Sequence, residues 1–357
     1  MKRVFRKSTA VLLVAVAATV AVTVATAGVK HKTAAAQVCV LLPDTKSSVR
    51  WEQFDRPAFA KALKAAGATY TIVNALNDAQ KQISQANQCL ANGAKVVIIT
   101  SLDAGSSIAI QKAAAAKGAK TIDYDRLIVG GTGSLYVSFD NHQVGVLQGK
   151  GVVAGLKAKG KYGSHPVVAE LNGGPTDNNA FLFKGGYDSI LKPLYSKGTL
   201  KKGPDQFVPQ WDNQKAETIF EQMLVRTANK IDAVAAANDG LANAVVTALK
   251  NHGLKPVPLS GQDATGQGVQ NIISGWQTMT VYKQVPKEAN AAAKAAVQLL
   301  KGQKLTTTGT FPNGKRKMPA FLIAPISITK SNYTILFKEH FLKKSEVCVG
   351  DFAKFCK

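Results

Sequence analysis

From residue 38 onward, short apolar runs alternate with longer amphipathic ones. Val38–Leu42, Tyr70–Asn74, Val96–Thr100 and Lys120–Tyr124 read as strands, and 53–66, 78–91 and 104–117 carry apolar residues at helical spacing. These helices stop at Gly67, Gly93 and Gly118, where glycine can adopt the left-handed conformation that closes a helix. Asp78 and Asp103 stand near helix starts, where a carboxylate satisfies free backbone N–H groups. Strand–helix–strand repetition at this spacing predicts a parallel sheet with helices on both faces.

After Tyr136–Phe139 a second series follows. Its strands are Val167–Leu171, Ile231–Ala235 and Val257–Ser260, with helices near 142–157, 178–192, 213–227 and 239–252. The first series resumes over 264–302, and Phe321–Ile328 reads as a late strand. The pattern predicts an α/β chain of two doubly wound parallel-sheet lobes joined by a multi-strand hinge. One lobe takes 38–139 plus 263–323, the other 140–262 plus 324–345, and 346–357 forms a tail. Crossings are expected near Asp140, Gly261-Gln262 and Ala324-Pro325. Lobes joined by several crossings form a hinge with a ligand cleft between them.

The first residues depart from this pattern. Lys2, Arg3, Arg6 and Lys7 precede an apolar stretch over 10–27 that ends on Ala25-Thr26-Ala27, a small-residue cleavage site. Residues 1–27 thus read as a signal peptide, with a cut after Ala36 and an uncleaved anchor as alternatives. Export places the chain in a periplasm or at the outer face of the cytoplasmic membrane. The net charge is +23, or +19 without those four basic residues. The lysines are scattered, without a dense block or aromatic–arginine alternation, so a nucleic-acid partner is not expected. Four cysteines remain after export, in a compartment that admits disulfides. A Cys348–Cys356 bridge needs a turn, which Gly350 can supply. For Cys39 and Cys89, on the first strand and a neighbouring helix, a bridge and two buried thiols are the alternatives.

Catalytic signatures fail individually. Gly145–Gly151 reads GVLQGKG, one residue short of a phosphate-cradling loop and without Ser or Thr after Lys150. Gly130–Gly133 follows no first strand, there is no G-x-S-x-G, and the histidines lack metal-ligand spacing. Neither an enzyme, a cofactor nor a metal is called for. Polar and aromatic residues do gather where strands end: Arg50-Trp51, Asp125-Arg126, Asp177 with Asn179, Trp211, Asn238-Asp239, Gln262-Asp263 and Lys283. Strand exits are where open α/β sheets bind ligands. Asp177 and Asp239 have helix capping as an alternative role. Opposite charges without a nucleophile suit a polar neutral ligand such as a sugar.

The segments RWEQFDRPAF, TIDYDRLI, YVSFDNHQVGVLQGK, GGPTDNNAFLFKGG, KIDAVAAANDG, SGQDA and QTMTVYK carry a further reading. In this order the chain resembles the periplasmic sugar-binding proteins of ABC transporters, in the xylose-binding branch, over nearly all of 38–345. The resemblance implies a monomer of the type I periplasmic-binding-protein fold that closes on one monosaccharide and delivers it to a membrane permease. A sensor presenting the sugar to a membrane receptor is the alternative. By position, Arg50, Arg126, Asp177, Asn179, Asn238, Asp263 and Lys283 would hydrogen-bond the sugar, and Trp51 and Trp211 would pack on its apolar faces. An extra residue before Asp55 and the Cys348–Cys356 tail depart from the family pattern.

Overall fold

The structure, a computed structural model, describes residues 36–356; the expected signal peptide lies outside them. Strand β1 (Val38–Leu42) is buried throughout. Successive side chains of a strand point to opposite faces, and β1 divides accordingly. Val38, Val40 and Leu42 meet Phe59 and Leu63 of α1 (Arg56–Ala65) and the alanines of α9 (Val285–Leu300). Cys39 and Leu41 meet Leu90 of α2 (Ala79–Ala91) and Ile110 of α3 (Ala104–Ala116). Burial on both faces explains why β1 is a continuous apolar run.

The first sheet continues with β2 (Tyr70–Asn74), β3 (Val96–Ile99), β4 (Lys120–Tyr124) and β5 (Leu135–Phe139). It gains β10 (Gly309–Asn313) and β11 (Arg316–Ile323) late in the chain. Its seven strands run in the order β10-β11-β5-β4-β3-β1-β2, all parallel except the β10–β11 hairpin. Asp78 and Asp103 accept from the first-turn N–H groups of α2 and α3. Gly67, Gly93 and Gly118 take φ of +70°, +95° and +68° behind their helices.

The second sheet holds β6 (Val167–Asn172), β7 (Lys201–Phe207) and β8 (Ala233–Ala236), in the parallel order β7-β6-β8. Its helices are α4 (Asn141–Ala158), α5 (Asn178–Ser196), α6 (Asn213–Arg226) and α7 (Asp239–Asn251). The expected strand Val257–Ser260 is reduced to a bridge between Val234 and Leu259. Beyond it the layer continues: Asp263 N–H donates to Val281 and Val281 N–H to Gly261, in β9 (Met279–Tyr282), which pairs antiparallel with β12 (Ile326–Thr329). Met279 and Val281 join the second core. Helix α8 (Gly266–Ser274) packs through Val269 and Ile273 on Tyr333 and Leu336, beside the short helices α10 (Ile335–Lys338) and α11 (Lys344–Val347).

The expected lobe boundary is therefore corrected. Residues 264–282 go with the second sheet, because β9 buries its apolar face in that core, and the chain returns to the first sheet only after Lys283. Asp140 N–H donates to Ile323 where β5 leads to α4, and the late strand divides between the sheets at Ala324-Pro325. The last residues are not a separate tail. Cys348, Phe352, Phe355 and Cys356 pack on the α8 core, with a Cys348–Cys356 disulfide around Gly350 at φ +51°. A second disulfide joins Cys39 to Cys89.

Candidate ligand-binding site between the sheets

The carboxyl ends of both sheets converge on a small cavity lined by buried side chains. Its walls include all nine expected residues: Arg50, Trp51, Arg126, Asp177, Asn179, Trp211, Asn238, Asp263 and Lys283. Ser47, Ser48, Asp125, Phe183 and Gln262 complete them. Ser47–Trp51 follow β1, and Asp125-Arg126 follow β4. Facing them, Asp177 and Asn179 open α5, Trp211 follows β7, Asn238 follows β8 and Gln262-Asp263 precede α8. Asp263 thus reaches the cavity from the second sheet, not the first. Lys283 sits at the crossing.

Local backbone aims several of these groups. Asp125, Trp211 and Asp263 have φ of +58°, +57° and +96°, a region that side-chain-bearing residues rarely occupy and that collects at functional sites. The Trp211 indole lies against a side-chain-free backbone: a Cβ on Gly173 would stand 2.1 Å from its ring. Asp177 Oδ1 accepts from Asn179 N–H at 2.9 Å, so it caps α5 as its alternative role required. Its Oδ2 still faces the site, 3.0 Å from Arg126 Nε and 3.2 Å from Trp211 Nε1. Asp239 does not cap α7. Asn238 does so, accepting from Leu241 N–H at 2.9 Å while its Nδ2 donates to the Ser47 carbonyl across the cavity.

Charges are paired within the wall. Arg50 donates to both oxygens of Asp55, to Asp125 Oδ2 at 2.8 Å and to Glu288 Oε2 at 2.7 Å. Four of a guanidinium's five N–H groups are therefore committed to protein carboxylates. Burial opposes the charge on Arg50, yet Asp55, Asp125 and Glu288 hold it more firmly protonated than usual. Lys283 Nζ also donates to Asp125 Oδ2, at 2.8 Å. Burial works against ionised Asp125, but Lys283 and Arg50 outweigh it and hold the carboxyl below its ordinary range. Asp177 moves the other way, because burial exceeds the help from Arg126. Asn179 bridges the two sides, its Nδ2 donating to the Asp125 carbonyl at 3.0 Å and Oδ1 accepting from Asn141 at 2.9 Å.

The Trp51 face is covered by Arg50 at 4.5 Å and Arg126 at 5.3 Å, within the reach of cation–π attraction. Trp51 Nε1 donates to Ser47 Oγ at 3.1 Å. Phe183, at 6.2 Å from Trp211 edge to face, was not among the expected residues. Its helical spacing from Asn179 was the available signal. Asp125 is among the strand-exit residues but not among those expected to hydrogen-bond the sugar; the structure makes it the acceptor that gathers Arg50, Lys283 and Asn179.

Two opposed α/β halves with a small polar and aromatic cavity at their strand exits define a solute-binding protein. The chain belongs to the periplasmic binding protein family: the profile described as periplasmic binding protein domain matches residues 38–304. A D-xylose-binding periplasmic protein of Haemophilus influenzae is 37% identical over 300 residues, 84% of this chain and 88% of its own length. The D-xylose-binding periplasmic protein of Escherichia coli matches at the same 37% identity and coverage, 84% and 88%. An ABC transporter solute-binding protein of Clostridium phytofermentans, solved with bound β-D-glucose, has a TM-score of 0.81 at 29% identity, covering 87% of this chain and 99% of that one. No helix among the described residues is long and apolar enough to cross a membrane.

Proposed function

We propose that this chain is an exported solute-binding protein that captures one monosaccharide, D-xylose or a related aldose, between the two sheets. It hands the sugar unchanged to an ABC import permease and acts as a monomer. The observation that carries this reading is the composition of the cavity wall, in which two indoles stand with carboxylate, amide and cationic tips from both sheets. A pyranose presents hydroxyls that donate and accept, and C–H faces that are apolar. Asp177 and Asp263 accept, Arg126 and Lys283 donate, and Asn179 and Asn238 do both. Trp51 and Trp211 cover apolar faces and exclude water. Hydrogen bonds to charged groups contribute about 1.5–3 kcal/mol each, and micromolar affinity needs only about −8 kcal/mol. A few such contacts suffice after ordering costs.

The names of the D-xylose-binding relatives and the glucose-bound neighbour support the ligand class. Contacts from Arg126 and Trp51 on one side and Asn179, Asn238 and Asp263 on the other favour a closed state when the sugar is held. The test is a thermal-shift screen of residues 28–357 against aldopentoses and aldohexoses. A binding sugar raises the unfolding temperature by mass action, and it is recovered chemically unchanged. The variant Asp263→Asn keeps the positive-φ position tolerable, melts like the parent without sugar and loses the sugar-induced shift. A flat response of the parent protein to every aldose overturns the reading.

A further inference from the structure

We propose that Gln262 belongs to the ligand shell beside Asp263 and that the two side chains together require two hydroxyl donors on the ligand; this rests on the sugar-binding reading above. Gln262 is 3% and Asp263 5% exposed, and both line the cavity. Asp263 Oδ2 accepts from the Ser48 hydroxyl at 2.8 Å, while Asp263 Oδ1 and Gln262 Oε1 have no hydrogen-bond partner. Other buried side chains also carry an unpaired oxygen, Gln148 and Gln277 among them, but of the cavity's lining residues only these two do. A buried acceptor left without a donor is costly and calls for an explanation.

The backbone of both residues is held in place. The Gln262 carbonyl accepts from Asp239 N–H at 2.9 Å, and Asp263 N–H donates to Val281 at 2.9 Å. The pair is thus anchored to α7 on one side and β9 on the other. A ring oxygen or a C–H edge cannot answer two acceptors; two hydroxyl hydrogens can. The two residues differ in what they demand. A carboxylate only accepts, whereas the Gln262 amide accepts at Oε1 and donates at Nε2, so it can engage both the hydrogen and the oxygen of one hydroxyl. Gln262 is therefore the residue that distinguishes a hydroxyl from a hydrogen at its position on the sugar. A site built for a hydroxyl rejects an analogue lacking it because its own polar group is left unpaired.

The experiment is a calorimetric cycle with D-xylose, D-glucose and the monodeoxy derivatives of each, against the parent protein and Gln262→Leu. The parent is expected to bind one deoxy derivative about tenfold more weakly than its sugar through loss of the Gln262 contact. Gln262→Leu weakens the intact sugar by about the same factor and binds that one derivative as well as the sugar itself. If Gln262→Leu weakens sugar and all derivatives alike, or changes nothing, the inference is overturned while sugar binding by the parent stands. A parent that binds neither sugar nor derivative overturns both readings. Should the leucine variant lack a cooperative melt, Gln262→Met, of closer length, takes its place.

Discussion

Arg126 and Asp177 join the two sheets across the cavity, guanidinium Nε 3.0 Å from carboxylate Oδ2. The pair also links the two indoles, because Arg126 lies 5.3 Å over Trp51 and Asp177 accepts from Trp211 Nε1 at 3.2 Å. One ion pair thus fixes the aromatic plates on both sides of the site.

Arg126→Met should lower affinity for the bound aldose at least a hundredfold and destabilise the sugar-free protein by about 3–5 kcal/mol, the cost of stranding one member of a buried pair. The double variant Arg126→Met/Asp177→Asn should recover most of the stability and none of the affinity. Urea unfolding and calorimetry separate the two effects. Equal recovery of both would remove Arg126 from the ligand shell.

Arg50 is the contrasting case. Its guanidinium holds Asp55, Asp125 and Glu288, side chains buried to 4% exposure or less. Arg50→Met strands three carboxylates and should cost about 3–5 kcal/mol or more in the sugar-free protein. Arg50→Lys should recover only part, since an ammonium cannot reproduce the planar fork. Urea unfolding checks both; a melt unchanged in Arg50→Met would show that the network carries little stability.

The first sheet was legible because buried parallel strands are bare apolar runs between glycine-ended helices. Val38–Leu42, Tyr70–Asn74 and Lys120–Tyr124 begin and end where the pattern put them. Strand β7, KKGPDQF, was not, because it is a sheet-edge strand carrying Gly203 and Pro204, a place where proline and charge are tolerated. The edge strand β10 hides Pro312 in the same way. The allocation of β9 failed for another reason: MTVY is apolar enough for either core, and only tertiary pairing with β12 decides. The residues named by the strand-exit rule line one cavity. The rule did not reveal that Arg50 spends most of its donors on Asp55 and Glu288, since Glu288 is 238 residues away in sequence.

Gly173 offers a way to disturb the aromatic wall without touching a polar group. A Cβ there would lie 2.1 Å from two atoms of the Trp211 ring, so the indole must move. Gly173→Ala should weaken sugar binding at least tenfold and alter tryptophan emission, with a smaller effect on the sugar-free melt. Fluorescence titration checks this. An unchanged affinity would mean that Trp211 can shift at no cost to the ligand.

The last prediction concerns pH. Asp239 is fully buried beneath Gly261 and Gly268, where a Cβ would come within 2.2 Å of its carboxyl. It accepts from Gln277 Nε2 at 2.9 Å and from Thr265 N–H at 2.8 Å. Burial pushes its carboxyl up to about 7 despite these donors. An ordinary unfolded-state aspartate titrates near 4, so between about pH 4 and 7 the folded chain binds more protons than the unfolded one. The stabilising contribution of the protonated form is complete below pH 4 and is lost as pH rises to about 7. The slope is bounded at about 1.4 kcal/mol per pH unit. Asp123, likewise pushed up to about 7 by burial in the first half of the molecule, contributes a slope of the same sign. Asp239→Asn should therefore flatten, without abolishing, the fall in sugar-free stability from pH 4 to 7. Urea unfolding of parent and variant across that range gives the difference directly. Parallel profiles would show that Asp239 stays ionised in the folded protein, held by Thr265 and Gln277.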